Sequence, residues 1–454
     1  MILIGGTSGI SRGWESSVSY NSYLTLPTYH EDMVVLEKRL FFHFFSTIIY
    51  LKSSFMLSDG GVDMILKQFD IDNFKSLVEF HFPPLPPEGS LPTFSCLVGE
   101  NGSGKSTIIQ AMDFIHHIAS GTLDDWIKSR GWKLSELTSK FTKRTTIAFN
   151  LVIAEGNTTY RWYGSFNTVS SRCTTESIIV DSGKMYVMNL SDGVLRYTKG
   201  NDRITASVKD YSYRGSVLSF LNSDYETMPE IASVKQFIEG LKSLELLNPQ
   251  LIKTRSREAE DVGSGGERLA GYLSHLPKDQ FEQILVDLRQ FYPKVIFARP
   301  QSLRAGWKTY WITEHYQAAQ KSRLETEIQH LSDGMLRILT IIAQVRSSRG
   351  FILLDEIENG INPELVERLM DYLVGSKKQI LVTTHSPMVL NYLDDDVAKT
   401  GVFLIYKHED GITRCGRYFS SPITREKLEV LGPGEVYVDT DISSVADDLE
   451  KSRS

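Results

Sequence analysis

The stretch Thr93–Ile109 constrains the fold more than any other part of the chain. It reads TFSCLVGENGSGKSTII: a short apolar run from Phe94 to Val98, then Gly99, Glu100, Asn101, Gly102, Ser103, Gly104, Lys105, Ser106 and Thr107. This is the full G-x-x-x-x-G-K-[ST] pattern, set between a strand and the start of a helix. Glycines let the backbone turn its N–H groups toward phosphate oxygens, and a helix beginning near Lys105 points its positive end at them. Lys105 adds a point charge, and the Ser106 hydroxyl can donate its oxygen to Mg2+. The strand–loop–helix setting predicts an α/β fold.

Residues 349–363, RGFILLDEIENGINP, supply the second half of such a site. Phe351–Leu354 is a continuous apolar run, the pattern of a strand buried on both faces. It ends in Asp355 and Glu356, and ligands bind at the carboxyl ends of strands in open α/β sheets. Asp355 is the candidate to hold Mg2+ through water, and Glu356 to position or activate the attacking water. A further buried run, Gln379–Thr384, ends at His385. Between the two, Asn359–Pro363 reads as a turn with Pro363 at the first turn of a helix. Residues 331–337, LSDGMLR, open an apolar helix with Ser332 as a candidate N-cap.

The order and spacing of these pieces resemble the ABC-type ATPase head, and more closely the RecF/SMC/OLD branch and its stand-alone AAA-family relatives. The matching segments are IDNFKSL, GENGSGKST, LSDGMLR, LLDEIENGINPEL and TTHSP. One departure is Asn362, where that group usually has histidine. The resemblance implies a P-loop ABC-type head with an antiparallel β-lobe and a helical insertion, using ATP and Mg2+. It implies His385 as the partner of the γ-phosphate. It also implies an ATP-sandwich homodimer, in which Ser332, Asp333 and Gly334 of one subunit meet the nucleotide held by the other. A helix start gives a physical reason, since free N–H groups and a positive dipole end face an anion.

The remaining chain divides by pattern. Residues 64–111 and 326–410 carry the core motifs. Residues 112–214 read as a helix followed by a Thr-, Val-, Ile- and Tyr-rich antiparallel meander, with turn signals between its strands. Residues 215–325 read as a mainly helical insertion returning as strands at 294–316. Within it, GSGGERLAGYLSHL lacks the Gly-Lys-Ser/Thr and the strand of a second phosphate loop, and reads as loop then helix. The insertion has neither long heptads nor a CxxC hook, which argues against an SMC-like arm. Residues 411–454 read as strands and an acidic, frayed tail, too short for the Toprim nuclease of OLD-type proteins. Residues 1–63 have no steady period. Met64 reads as the natural start, with an accessory helix near 33–51 as the alternative.

Net charge −7 excludes a globally basic nucleic-acid binder. Three scattered cysteines exclude a disulfide scaffold and point to the cytoplasm. The apolar run at 40–51 is short of the roughly 20 residues needed to span a bilayer, so no membrane partner is expected. The resemblance, together with the absence of a fused nuclease, implies an ATP hydrolase serving as sensor or switch for a separate effector, such as a nuclease, in prokaryotic anti-phage defence. A RecF-like repair ATPase acting on DNA is the alternative, and short basic clusters at 140–144 and 253–257 bear on it.

Overall fold

Five consecutive buried residues, Phe94–Val98, form the strand that carries the phosphate loop. Burial on both faces requires cover on both faces, and the computed structural model shows how the chain provides it. The structure describes residues 64–84, 90–181, 185–245, 248–317, 322–347, 350–376 and 378–452. The expectations for residues 1–63 lie outside the described residues.

In chain order the strands are β1 Met64–Asp72, β2 Phe80–Phe82, β3 Phe94–Val98, β4 Thr146–Glu155, β5 Thr158–Asn167 and β6 Arg172–Val180. Then come β7 Met185–Ser191, β8 Val194–Lys199, β9 Asp202–Ser207, β10 Lys242–Leu244, β11 Ser256–Arg257 and β12 Val295–Ser302. The last six are β13 Trp307–His315, β14 Arg323–Glu327, β15 Ile352–Leu354, β16 Ile380–Thr383, β17 Val402–Lys407 and β18 Thr413–Arg417. The principal helices are α1 Lys105–Ser120, α2 Leu123–Ser129, α3 Pro229–Glu239, α4 Lys278–Phe291, α5 Asp333–Ser347 and α6 Pro363–Val374, with α7 Pro422–Lys427, α8 Pro433–Val438 and α9 Ile442–Lys451 closing the chain.

The central sheet runs β10-β15-β16-β3-β17-β18. Its first five strands are parallel neighbours, and β18 returns antiparallel. Side chains alternate across a strand, and here the alternation feeds two separate cores. Cys96, Val98, Ile352, Leu354, Ile380, Val382, Val402 and Leu404 pack on one face with α4, α5, α6 and α9. Leu97, Leu353, Leu381, Phe403 and Ile405 pack on the other with α1, α3 and the β-lobe. The β-lobe is the expected antiparallel meander β4 to β9, joined through β4 to β1 and β2.

Two expectations need correction. The stretch 215–325 is not simply helical. Besides the strands expected at 294–316, which are β12 and β13, it contributes β10 to the central sheet, and β11 and β14 complete a four-stranded sheet. Gly240 caps α3, and pairing of Lys242–Leu244 with Ile352–Leu354 overrides the surrounding helical pattern. The helix Leu269–His275 follows the glycine-rich loop as expected. The C-terminal tail is not frayed. Asp441 accepts from the Ser444 N–H at 3.0 Å and caps α9. Val445 and Leu449 are buried in the first core. Spacing of Ile442, Val445, Ala446 and Leu449 on one helix face accounts for the docking.

Candidate functional site

The parallel strands β10, β15, β16 and β3 end side by side. The carboxyl edge therefore presents Glu245, Asp355 with Glu356, Thr384 with His385, and the Gly99 loop in one row. The Asp355 N–H reaches back to the Leu244 carbonyl at 3.4 Å, which fixes the spacing of the first two.

The phosphate loop is shaped by close approach. Gly99 has φ 140° and Gly104 φ 117°. A Cβ on Gly99 would stand 2.0 Å from the Ile405 carbonyl oxygen, and one on Gly104 2.5 Å from Thr413 Oγ1. No side chain fits at either position. Thr413, fully buried on β18, donates from Oγ1 to the Ser103 carbonyl at 2.8 Å. It lies 2.8 Å from Ser76 Oγ and accepts from Lys407 Nζ at 3.1 Å. One hydroxyl thus ties the loop to the IDNFKSL segment and to β17. In that segment Asn73 is fully buried, and its amide donates to the Arg144 and Thr146 carbonyls at 2.9 and 2.8 Å. Tyr437 of α8 lies within hydrogen-bond reach of the Gly99 backbone, so the C-terminal segment also braces the loop.

Lys105 is 4% exposed and donates to the Gly99 and Glu100 carbonyls at 2.8 and 3.0 Å. Burial lowers its pKa, opposed by Asp355, Glu356 and Glu358. Three carboxylates thus lie near one buried ammonium. Ser106 Oγ lies 3.3 Å from Asp355 Oδ1. Among the described residues no three metal-ligating side chains converge. One hydroxyl and one carboxylate suit Mg2+, a hard ion that keeps waters and takes other ligands from phosphate.

Glu356 sits at φ 49°, in the left-handed region that non-glycine residues seldom adopt. Thr383 holds this corner. Its hydroxyl donates to Asp355 Oδ1 and accepts from the Glu356 N–H at 2.9 Å. Asn359 Nδ2 donates to Glu356 Oε2 at 3.1 Å. Glu358 Oε1 accepts from the His385 N–H at 2.8 Å, orienting that loop through its backbone. Sequence reading missed Thr383, Asn359, Glu358, Thr413 and Glu245. Thr383 and Asn359 lie inside quoted motifs but act through tertiary partners that no spacing reveals.

The signature starts α5 on the other side of the sheet from α1. Ser332 Oγ accepts from the Met335 N–H at 3.3 Å, the N-cap expected for it. Asp333 pairs with Lys253 at 2.7 Å. A Cβ on Gly334 would lie 3.4 Å from the Gly360 carbonyl. Arg337 donates to the Asn359 carbonyl at 2.7 Å. The side-chain partners of Ser332 and Asp333 are thus Tyr292, Met335 and Lys253, none of them in the phosphate loop.

Two family models match this chain. Residues 236–391 match the family described as "AAA domain, putative AbiEii toxin, Type IV TA system". Residues 64–151 match the AAA ATPase domain. No curated protein matches. Solved structures similar to the chain include an SMC head bound to the C-winged helix domain of ScpA. Identity is 15% over 77% of this chain and 96% of that one, with a TM-score of 0.47. The SMC head domain from Thermotoga maritima has 13% identity over 77% and 98%, with a TM-score of 0.42. An SMC head with an extended coiled coil, bound to the C-terminal domain of ScpA from Pyrococcus furiosus, has 13% identity over 78% and 96%, with a TM-score of 0.44.

Proposed function

From the premise that the chain is an ABC-type AAA ATPase of the group that includes SMC, RecF and OLD-like proteins, we propose that it closes as a homodimer around ATP. In this reading Gly99–Thr107 cradle the phosphates, and Ser106 and Asp355 hold Mg2+. Glu356 accepts a proton from the attacking water, and His385 meets the γ-phosphate. Ser332, Asp333 and Gly334 reach the nucleotide of the other subunit. When bound, Mg2+ neutralises charge that develops on the phosphate oxygens.

One observation carries the reading. The first turn of α5, where Ser332 Oγ caps the Met335 N–H, stands beside Gly360, and its side-chain partners lie outside the phosphate loop. A helix N-terminus so placed suits an anion brought by a second molecule. Asn359 then links the two functions, accepting from Arg337 of α5 and donating to Glu356.

ATP-driven closing and release fits a sensor or switch subunit for a separate effector, such as a nuclease, in the cytoplasm of a prokaryote. The toxin–antitoxin wording of the matched AAA family supports a role in anti-phage defence. The RecF-like alternative acts directly on DNA, and the short basic clusters at 140–144 and 253–257 bear on it.

Complementation tests the shared site. Lys105→Ala and Ser332→Arg proteins are each expected to be inactive alone. Mixed, they should regain turnover, because one of the two composite sites is then intact. Failure of the mixture, with both variants folded, would contradict sharing in trans. Recovery of the Glu356→Gln protein from its host with ATP and Mg2+ would then identify what it holds.

A further inference from the structure

The segments 253–257 and 294–308 hold Lys253, Arg255, Arg257, Lys294, Arg299, Arg304 and Lys308 without one Asp or Glu, in a chain of net charge −7. Pairing of Ser256 and Arg257 with Lys308 and Trp307 brings the two segments together at one edge of β13. The register sets Arg257 opposite Trp307, Arg299 opposite Trp311 and Phe297 opposite Thr313. Directly paired residues share a face, so these three aromatics and two arginines look the same way. Ala298, Tyr310 and Ile312 look the other way, into the core.

We propose that this outer face of the β11–β14 sheet binds single-stranded nucleic acid. Phe297 is 46% exposed and Trp307 42%. The Arg257 guanidinium lies 5.9 Å from the Trp307 ring centre, and Arg299 is at the same distance from Trp311. Lys294 lies 4.6 Å from the Tyr316 ring. Carboxylates share this face, since the register also sets Glu327 opposite Trp311 and Glu325 opposite Thr313. Glu325 pairs with Arg299, Glu327 with Arg255, Glu258 with Lys308, and Asp333 with Lys253. Arg257, Lys294 and Arg304 pair with no carboxylate among the described residues, and they spread over the aromatic strip and its rim.

The chemistry of the occupant follows from the pairing of π-faces with unpaired cations. Open bases stack on aromatic rings and guanidinium planes while phosphates meet the cations. A duplex hides its base faces and offers the strip only its backbone. RNA and DNA share the chemistry described, and the experiment separates them. The inference goes beyond the ATPase reading and does not rest on it, since the face is built from other residues.

The test uses the full chain without nucleotide. Labelled oligothymidylate and oligouridylate of about twenty nucleotides, enough to cover one site, and a duplex of equal length are titrated over a salt series by fluorescence anisotropy. At least one single strand should bind, tenfold or more tighter than the duplex, and the tighter of the two assigns DNA or RNA. Trp307→Ala with Trp311→Ala should weaken single-strand binding about fivefold or more. Trp307→Phe, which keeps a ring, should retain most of the affinity. Arg257→Ala, Lys294→Ala and Arg304→Ala together should reduce the slope of log affinity against log salt by about 2, at roughly 0.7 per phosphate contact. Lys105→Ala should bind the strand like wild type, which keeps this result separate from the ATPase reading. Equal binding of duplex would overturn the proposal, as would absence of saturable binding to either strand. Unchanged affinity and slope in the folded variants would also overturn it. Self-association abolished by Trp307→Ala, with no strand bound, would reassign the face to protein contact.

Discussion

The carboxyl edge of the central sheet and the outer face of the β11–β14 sheet are built on opposite rules. At the sheet edge three side chains each bridge two or more groups. Thr383 bridges Asp355 and Glu356, Thr413 bridges Ser103 and Ser76, and Lys105 spans two loop carbonyls. On the outer face, Trp307 and Phe297 stand open and Arg257 rests on a ring. In the function proposed above, the first arrangement suits one small, highly charged ligand. The second leaves groups that can adapt to a long one. The difference teaches where substitutions are felt: through the network at the edge, locally on the face.

The sharpest way to break this contrast is at Glu356. If it accepts the proton, Glu356→Gln should lower the rate of ATP hydrolysis by about 10²- to 10⁴-fold while ATP still binds. Normal turnover would remove it from the chemistry. Next, Lys105→Ala should weaken ATP binding roughly a hundredfold, the scale of a buried charge-assisted contact. Tight binding by that protein, measured by titration calorimetry, would detach the loop from the nucleotide.

Thr383→Val sharpens the comparison, because it keeps shape and removes one hydroxyl. Asp355 loses a donor and the Glu356 N–H an acceptor, so a stability loss of about 1–3 kcal/mol is expected in denaturant unfolding. Hydrolysis should fall with it. A fall in stability with unchanged hydrolysis would make Thr383 a folding residue alone. The smallest effect concerns Lys75, whose amine sits 3.5 Å over the Trp132 ring and donates to Gln110 at 2.8 Å. Desolvation first, then Arg130, pushes its pKa down to about 8. The folded pKa is below the unfolded value near 10.4. The unfolded chain therefore binds more protons between pH 8 and 10.4, and stability from this group rises with pH across that window. Competitive amine labelling should show Lys75 titrating near pH 8, well before exposed lysines; a midpoint near theirs would contradict the burial.

Much of the edge was legible in sequence because each motif needs particular atoms. The glycine pattern anticipates the close approach at Gly99 and Gly104, and the apolar run before Asp355 anticipates a buried strand. The supporting hydroxyls were not legible. Thr413 lies 310 residues from the Ser103 it holds, and a lone threonine on a strand carries no local mark. β10 escaped because three residues between helical stretches take their strand character from pairing with β15. Helix α9 is a different case: its apolar spacing at Ile442, Val445, Ala446 and Leu449 was present, but the acidic residues around it drew the reading toward a solvated tail. The aromatic and cationic residues of β12 and β13 were visible as strands, while their gathering on one face required the register.

The central claim is that ATP joins two of these heads. Light scattering of the Glu356→Gln protein after size exclusion tests it most directly, with ATP and Mg2+ in one run and ADP in the other. The account predicts a dimer with ATP, a monomer with ADP, and loss of the ATP dimer on adding Ser332→Arg. The same mass in both nucleotides, or an ATP dimer indifferent to Ser332→Arg, would contradict it.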